Sequence, residues 1–311
     1  MTEAKKTKNF VISDEELEDN IRQYCRDFTA LAKAGRFPDP ITGRDDEIDQ
    51  TILILLQRGR KNAVLLAPAG VGKTAMVVGL AQTIARGDVP DYLKDCRVIE
   101  LELPSMAAGT ESIAEFQGRF IPICKGLAER YHDPDYPKFV MFIDEMHTIM
   151  PTCLGSSYKG LSEVMKPYMT VGDLHIIGAT TLDEYRIYVA QDPAMDRRFQ
   201  RVTLKVPNTV ETISIMKHLK GGYEKHHGIT INDTEIERIV RLTDEHLRRR
   251  YQPDKSILMM DAAMAYHVKM HGRGVELSKE SIYHMISKES AVHAQALEAP
   301  EGGETPLAGG H

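Results

Sequence analysis

Ala63-Val64-Leu65-Leu66 runs directly into Ala67-Pro68-Ala69-Gly70-Val71-Gly72-Lys73-Thr74, and from Ala75 to Arg86 the residues keep a helical pattern. A short buried strand, a glycine-rich turn and a helix therefore follow one another without a break. The turn fits the pattern GxxxxGK[ST] except at its first position, where Ala67 stands in place of glycine. In a turn of this kind backbone N–H groups wrap phosphates, and the start of the following helix faces negative charge. On this reading Ala69, Gly70, Val71, Gly72, Lys73, Thr74 and Ala75 cradle a nucleotide. Lys73 reaches the β- and γ-phosphates, and the Thr74 hydroxyl holds Mg²⁺. A strand–helix turn that binds no nucleotide is the other reading of the same residues.

Three further stretches bear on that choice. Phe139-Val140-Met141-Phe142-Ile143 is an apolar run ending in Asp144-Glu145, a buried strand with carboxylates at its C-terminal end. That end is where ligands sit in open parallel sheets. Asp144 would act on the Mg²⁺ shell, and Glu145 would orient and deprotonate an attacking water. Gly178-Ala179-Thr180-Thr181 closes the next strand. Its hydroxyls either reach the γ-phosphate or cap the helix that follows. Met195-Asp196-Arg197-Arg198-Phe199 carries paired arginines at a helix end, either a solvated surface or, in a ring of subunits, charge supplied to a neighbour's phosphate.

Outward from these motifs, the chain alternates short strand-like runs with helical patterns up to Val206-Pro207-Asn208. The strands are expected at Ala63–Leu66, Arg97–Leu101, Phe139–Ile143, His175–Ala179 and Arg201–Leu204, which predicts a parallel α/β sheet covered by helices. Before it, Leu17, Ile21, Tyr24, Phe28 and Leu31 line one face of a helix expected from Ser13 to about Ala34. Beyond it, helices are expected at Val210–Tyr223, Asp233–His246 and Ile257–Met270. The division predicted is a polar tail at 1–12, an N-terminal helix and linker at 13–38, an α/β domain at 39–207, a small all-α domain at 208–292, and a disordered tail at 293–311. With 311 residues there is room for about two domains. No apolar run approaches the roughly 20 residues of a membrane helix, and no signal core follows the polar start. The four cysteines are scattered without a CxxC pair, which predicts reduced thiols, a cytoplasmic setting and no structural zinc. A net charge of −6 argues against general nucleic-acid binding. The run Arg248-Arg249-Arg250 is the local exception, a surface for an acidic partner or nucleic acid.

Taken together, QYCRDFTALAKAG, GRDDEI, GVGKTAMVVGLAQTIARGDVP, FIDEMHT, VGDLHIIGATTLDEYR, DRRFQRV and YQPDKSI resemble the AAA+ ATPases, specifically the first ATPase module of the Clp-type unfoldases and disaggregases. The resemblance runs from about Asn20 to Ala263. It implies a three-layer P-loop NTPase domain with a helical lid, a ring of copies (commonly a hexamer) with ATP and Mg²⁺ between subunits, and a protein substrate. By position it implies Ile41, Thr42 and Gly43 near the adenine, with Pro253 and Ile257 closing over it. Thr180 would be the sensor of the γ-phosphate, Arg197 and Arg198 the fingers acting in trans, and Arg250 an intersubunit or nucleotide-proximal arginine. Leu258 replaces the lid's usual aspartate, and Ser112 replaces the aromatic of the pore loop. Ile113, or Tyr158 and Lys159 in a later loop, are the candidates to substitute for that aromatic. A recruitment domain, a coiled-coil insertion and a second module are not found in the sequence. The implied activity is an ATP-hydrolysing ring motor that remodels a protein partner, with a nucleotide-dependent scaffold or loader on a protein or DNA-associated machine as the alternative.

Overall fold

The computed structural model describes residues 10–37, 39–171, 174–290 and 292–297. They divide between Lys205 and Val206 into two units. The first contains α1 (Asp14–Tyr24), β1 (Cys25–Asp27), α2 (Phe28–Lys33), α3 (Asp45–Leu55), β2 (Asn62–Leu66), α4 (Lys73–Arg86), β3 (Arg97–Leu101), α5 (Leu103–Ala107), α6 (Ile113–Arg130), β4 (Phe139–Ile143), α7 (Leu161–Val171), β5 (His175–Thr180), α8 (Leu182–Glu184), α9 (Pro193–Asp196) and β6 (Phe199–Thr203). The second contains α10 (Thr209–His227), α11 (Asp233–His246), α12 (Asp254–His271), α13 (Lys279–Ser290) and α14 (Ala294–Leu297).

The six strands form one sheet in the order β1-β3-β4-β5-β2-β6, parallel throughout except for β1. Successive side chains of a strand point to opposite faces, and here both faces are buried. Ala63, Leu65, Val140, Phe142, Ile177 and Ala179 join the residues of α2, α3 and α4 in one core. Val64, Leu66, Met141, Ile143 and Ile176 join those of α1, α6 and α7 in the other. This is why the strands read as continuous apolar runs instead of alternating ones. The register sets Leu66 beside Thr180 and Ile143 beside Gly178, so the loops opening at Ala67, Asp144 and Thr181 leave from one edge.

The single helix expected from Ser13 to Ala34 is in fact two. Ser13 caps α1, its Oγ accepting from the Glu16 N–H at 3.1 Å. At Cys25 the chain extends and pairs Cys25–Asp27 antiparallel with Ile99–Leu101. Arg26 then meets Glu100 and Glu102, each at 3.3 Å, and the Asp27 carboxylate caps α2 through the Ala30 N–H at 2.8 Å. The helical spacing of Tyr24, Phe28 and Leu31 conceals a three-residue strand whose stability comes from a partner far along the chain. β6 likewise begins at Phe199 instead of Arg201, because Phe199 is buried in the sheet.

The ends also differ from the tails predicted. Residues 1–9 and 298–311 lie outside the described residues. Phe10 to Ile12, however, is fastened to the end of α6. Arg130, 1% exposed, donates to the Ile12 carbonyl at 2.7 Å, to the Gly126 carbonyl at 2.9 Å and to Asp14 Oδ1 through Nε at 3.0 Å. Its guanidinium lies 4.3 Å from the Phe10 ring centroid. Near the other end α14 buries Leu297 on the second unit's core. Arg130→Ala should destabilise the first unit by about 2 kcal/mol, since the carbonyls and the carboxylate lose their donor. A urea midpoint equal to wild type would show that the clamp contributes nothing.

The second unit buries Met216 of α10, Ile236, Ile239 and Val240 of α11, Met259, Met260, Ala263 and Met264 of α12, and Ile282 and Ile286 of α13. Among the described residues, no helix is long and apolar enough to cross a membrane.

Candidate active site

The glycine-rich turn takes the backbone its composition requires. Gly70 and Gly72 have φ of 80° and 103°, the left-handed region that a Cβ disfavours. Gly72 caps α4, so Lys73 is the first residue of the helix. Its ammonium is buried and donates to the Ala67 carbonyl at 3.1 Å and the Pro68 carbonyl at 3.4 Å. Ala67 serves here through its main chain and is not among the positive-φ residues, which explains why alanine can replace glycine there. Ala69 and Gly70 are exposed, Val71 is buried, and Thr74 and Ala75 are half-buried at the first turn of α4.

Behind the turn stands Arg44, which the motifs did not single out although it lies in GRDDEI. It is 6% exposed and donates to the Val71 carbonyl at 2.7 Å, the Lys205 carbonyl at 3.0 Å and Glu47 Oε1 at 3.0 Å. It ties the turn to the segment holding Ile41, Thr42 and Gly43. That segment is fixed from α4 as well: Gln82 accepts from the Ile41 N–H at 3.2 Å and donates to the Asp39 carbonyl at 3.0 Å. In the second unit Pro253 is buried before α12, and the Ile257 N–H donates to its carbonyl at 3.0 Å. Leu258 beside it is exposed.

Across the edge, the Thr74 hydroxyl donates to Asp144 Oδ2 at 3.1 Å. A hydroxyl and a carboxylate oxygen are the hard donors that suit Mg²⁺, which takes few protein oxygens and completes its shell with water and phosphate. Thr74 and Asp144 therefore fit the ion and would hold it, where it would neutralise phosphate charge. Asp144 Oδ1 accepts from the Glu145 N–H at 2.9 Å. Glu145 itself has φ 48°, uncommon for a residue with a side chain. Burial, then the Asp144 and Glu184 carboxylates, push the Glu145 carboxyl above its ordinary value, against Lys73 and His147. Such a shift strengthens a carboxylate as a base.

The two threonines of the Thr180-Thr181 pair make different contacts. Thr181 caps α8 in a reciprocal box with Glu184. Thr180 is fully buried, and its hydroxyl donates to Glu184 Oε2 at 2.9 Å and lies 3.0 Å from His147 Nδ1. Burial pushes the Glu184 carboxyl up, but hydrogen bonds from Thr181 and Thr180 outweigh it and hold the group below its ordinary value. His147 and Glu184 escaped the sequence reading, because nothing in their spacing shows that they meet.

The arginine pair divides. Arg198 is tethered to the Ala194 carbonyl. Arg197 is exposed at the end of α9, and among the described residues its guanidinium makes no hydrogen bond or ion pair. β6, the sheet's edge strand, follows at once.

The pore-loop candidates also separate. Ser112 caps α6, accepting from the Glu115 N–H at 3.2 Å, while Ile113 is 45% exposed. Tyr158, a candidate for the missing aromatic or for an exposed loop tyrosine, is instead partly buried with its ring 5.7 Å from Phe116. It lines a cleft of about 520 Å³ beside Asp144 and Glu145, together with Arg26, Glu100 and Glu102. Lys159 is half-buried. Arg248, Arg249 and Arg250 are exposed, Arg250 lying 3.9 Å from Glu289.

Residues 63–205 match the family model for AAA, the ATPase family associated with various cellular activities, and residues 208–305 match the AAA lid domain. Chaperone protein ClpB of Rickettsia conorii is 41% identical over 251 residues, covering 81% of this chain and 29% of that protein. ClpB 2 of a Nostoc species is 42% identical over 246 residues, 79% of this chain and 28% of that one. The Saccharomyces cerevisiae Hsp104–casein complex superposes with a TM-score of 0.78 at 30% identity, over 91% of this chain and 47% of that chain. The yeast Hsp104–ADP complex gives 0.79 at 29%, over 90% and 47%. The chain thus spans less than a third of the length of the curated chaperones it matches.

Proposed function

Because the chain belongs to the AAA ATPase family and carries its ATPase and lid domains in order, we propose that it binds Mg²⁺-ATP and hydrolyses it in a ring of its own copies, a hexamer, to remodel a protein partner. The observation that carries this is the meeting of Thr74 and Asp144 at 3.1 Å, with Lys73 on one side and Glu145 on the other. The turn and Lys73 bind and orient the phosphates, Glu145 takes the proton of the attacking water, and Thr180 marks the γ-phosphate. Arg197 and Arg198 reach the next subunit's nucleotide. Ile41, Thr42 and Gly43 contact the adenine, with Pro253 and Ile257 covering it. We assign 39–207 to the ATPase domain and 208–292 to the lid, with 13–38 leading in. The cytoplasm is the compartment that keeps Cys25, Cys96, Cys124 and Cys153 as the free thiols they are here.

The protein partner follows from likeness to the ClpB chaperones and to Hsp104, whose casein complex superposes on this chain. Ile113 on the rim of the α6 cap is the apolar side chain we assign to gripping it. Specific ATPase activity should rise with protein concentration as rings form, and should rise further with casein. Protein that binds and hydrolyses no ATP at any concentration would sink the reading. Stimulation by casein that survives Ile113→Ser would remove Ile113 from it.

A further inference from the structure

Glu145 is half exposed, and among the described residues only one side chain holds its carboxylate. That partner is His147, whose Nδ1 lies 3.4 Å from Glu145 Oε2. His147 is itself fixed on several sides. Nδ1 lies 3.0 Å from Thr180 Oγ1 and 3.4 Å from Glu184 Oε2, and the ring stacks on Tyr188 at 5.7 Å between centroids with 27° between planes. The side chain is 13% exposed. The short 3₁₀ turn Met146–Ile149 that carries it is seated by Gly178 of β5, where a Cβ would come within 2.1 Å of Met146 Sδ.

The proton inventory assigns the histidine's role in this cluster. Glu184 Oε2 accepts from the Thr181 N–H at 3.0 Å, the Thr181 hydroxyl at 2.8 Å and the Thr180 hydroxyl at 2.9 Å. A threonine hydroxyl has one proton, and Thr180 gives its own to Glu184. Thr180 Oγ1 can then only accept from His147, so Nδ1 carries a hydrogen. That N–H bonds Thr180 Oγ1 at 3.0 Å, and Oε2 of Glu184 and Oε2 of Glu145 each lie 3.4 Å from the same nitrogen. Nε2 takes no part.

We propose that His147 is a positioning residue for hydrolysis, its Nδ1–H holding the Glu145 carboxylate in fixed relation to the Thr180 hydroxyl so that base and sensor keep one geometry. This rests on the reading of Glu145 as the group that takes a proton from water. A carboxylate on a kinked backbone, half in solvent, samples several rotamers unless something holds it. Loss of the holder costs rate through misplacement, not affinity for the substrate. The position of the N–H also sets which replacement works. The asparagine side-chain nitrogen is attached where Nδ1 is, one bond beyond Cγ. The glutamine nitrogen lies one bond further and cannot take that place.

The test is steady-state ATP hydrolysis by the full chain, with binding of a fluorescent ATP analogue measured alongside. His147→Ala should lower kcat about tenfold with KM and nucleotide affinity within about twofold of wild type. His147→Asn should recover most of the loss and His147→Gln should not. Should the alanine variant fail to fold, the asparagine and glutamine pair still decides the matter. Equal rates for Asn and Gln, a wild-type kcat for Ala, or a change confined to KM would each overturn the proposal. Glu145→Gln is the control. A wild-type chain that hydrolyses nothing overturns the reading of Glu145 and the proposal together. An active wild type, an inactive Glu145→Gln and a fully active His147→Ala overturn the role of His147 alone.

Discussion

Glu145→Gln should lower kcat by a factor of about 10²–10³ while ATP remains bound, since the amide keeps the shape of the side chain but cannot accept the water's proton. The flanking geometry makes the effect specific. Asp144 and Thr74 meet at 3.1 Å independently of the Glu145 carboxylate, and the Glu145 N–H, which bonds Asp144 Oδ1, survives the substitution. Nucleotide affinity should therefore stay within about twofold. The variant should also hold its ring, because bound ATP that is not turned over favours the assembled state by mass action. Single-turnover hydrolysis, read beside size measured in ATP, checks both parts. A variant that hydrolyses at the wild-type rate would take Glu145 out of the mechanism.

Arg197→Ala is expected to cost about 10³ in kcat, with little effect on the protein's own nucleotide affinity. A guanidinium without a partner among the described residues is available to meet a phosphate elsewhere, whereas Arg198 already spends a donor on the Ala194 carbonyl. Arg198→Ala should consequently cost less, about tenfold. Mixing separates action in trans from a local defect. Lys73→Ala subunits lack a competent turn but retain Arg197, and Arg197→Ala subunits retain the turn. Each alone should be inactive, and a mixture should recover part of the rate. Mixed rings as inactive as the parents would place Arg197 outside the neighbour's site.

Much of this arrangement can be read along the chain because the relevant signals are local. The strand before the turn, Gly70 and Gly72 at positive φ, and Asp144-Glu145 at a strand end all declare themselves within a dozen residues. β1 does not, since Cys25–Asp27 is a strand only by virtue of Ile99–Leu101 and lies within a helical apolar rhythm. Arg130 carries no mark of burial in its neighbours along the chain, since the segment that fastens on it lies more than a hundred residues earlier. His147 is separated from Thr180 and Glu184 by the whole of α7, and the pairing of β4 with β5 brings it to them. Tyr158 shows the opposite: a tyrosine in a loop reads as available, and it is partly buried and packed against Phe116.

α6 joins two features that have so far stood apart. At 18 residues and 1.5 Å each it is about 27 Å long, with Ile113 as its first residue and Arg130 as its last. Its last residue is gripped by Ile12, Asp14 and Phe10. Arg119, about one and a half turns into the same helix, donates to the Met106 and Ala108 carbonyls, so α6 is held near both ends and Ile113 is presented from a support that is fixed along its length.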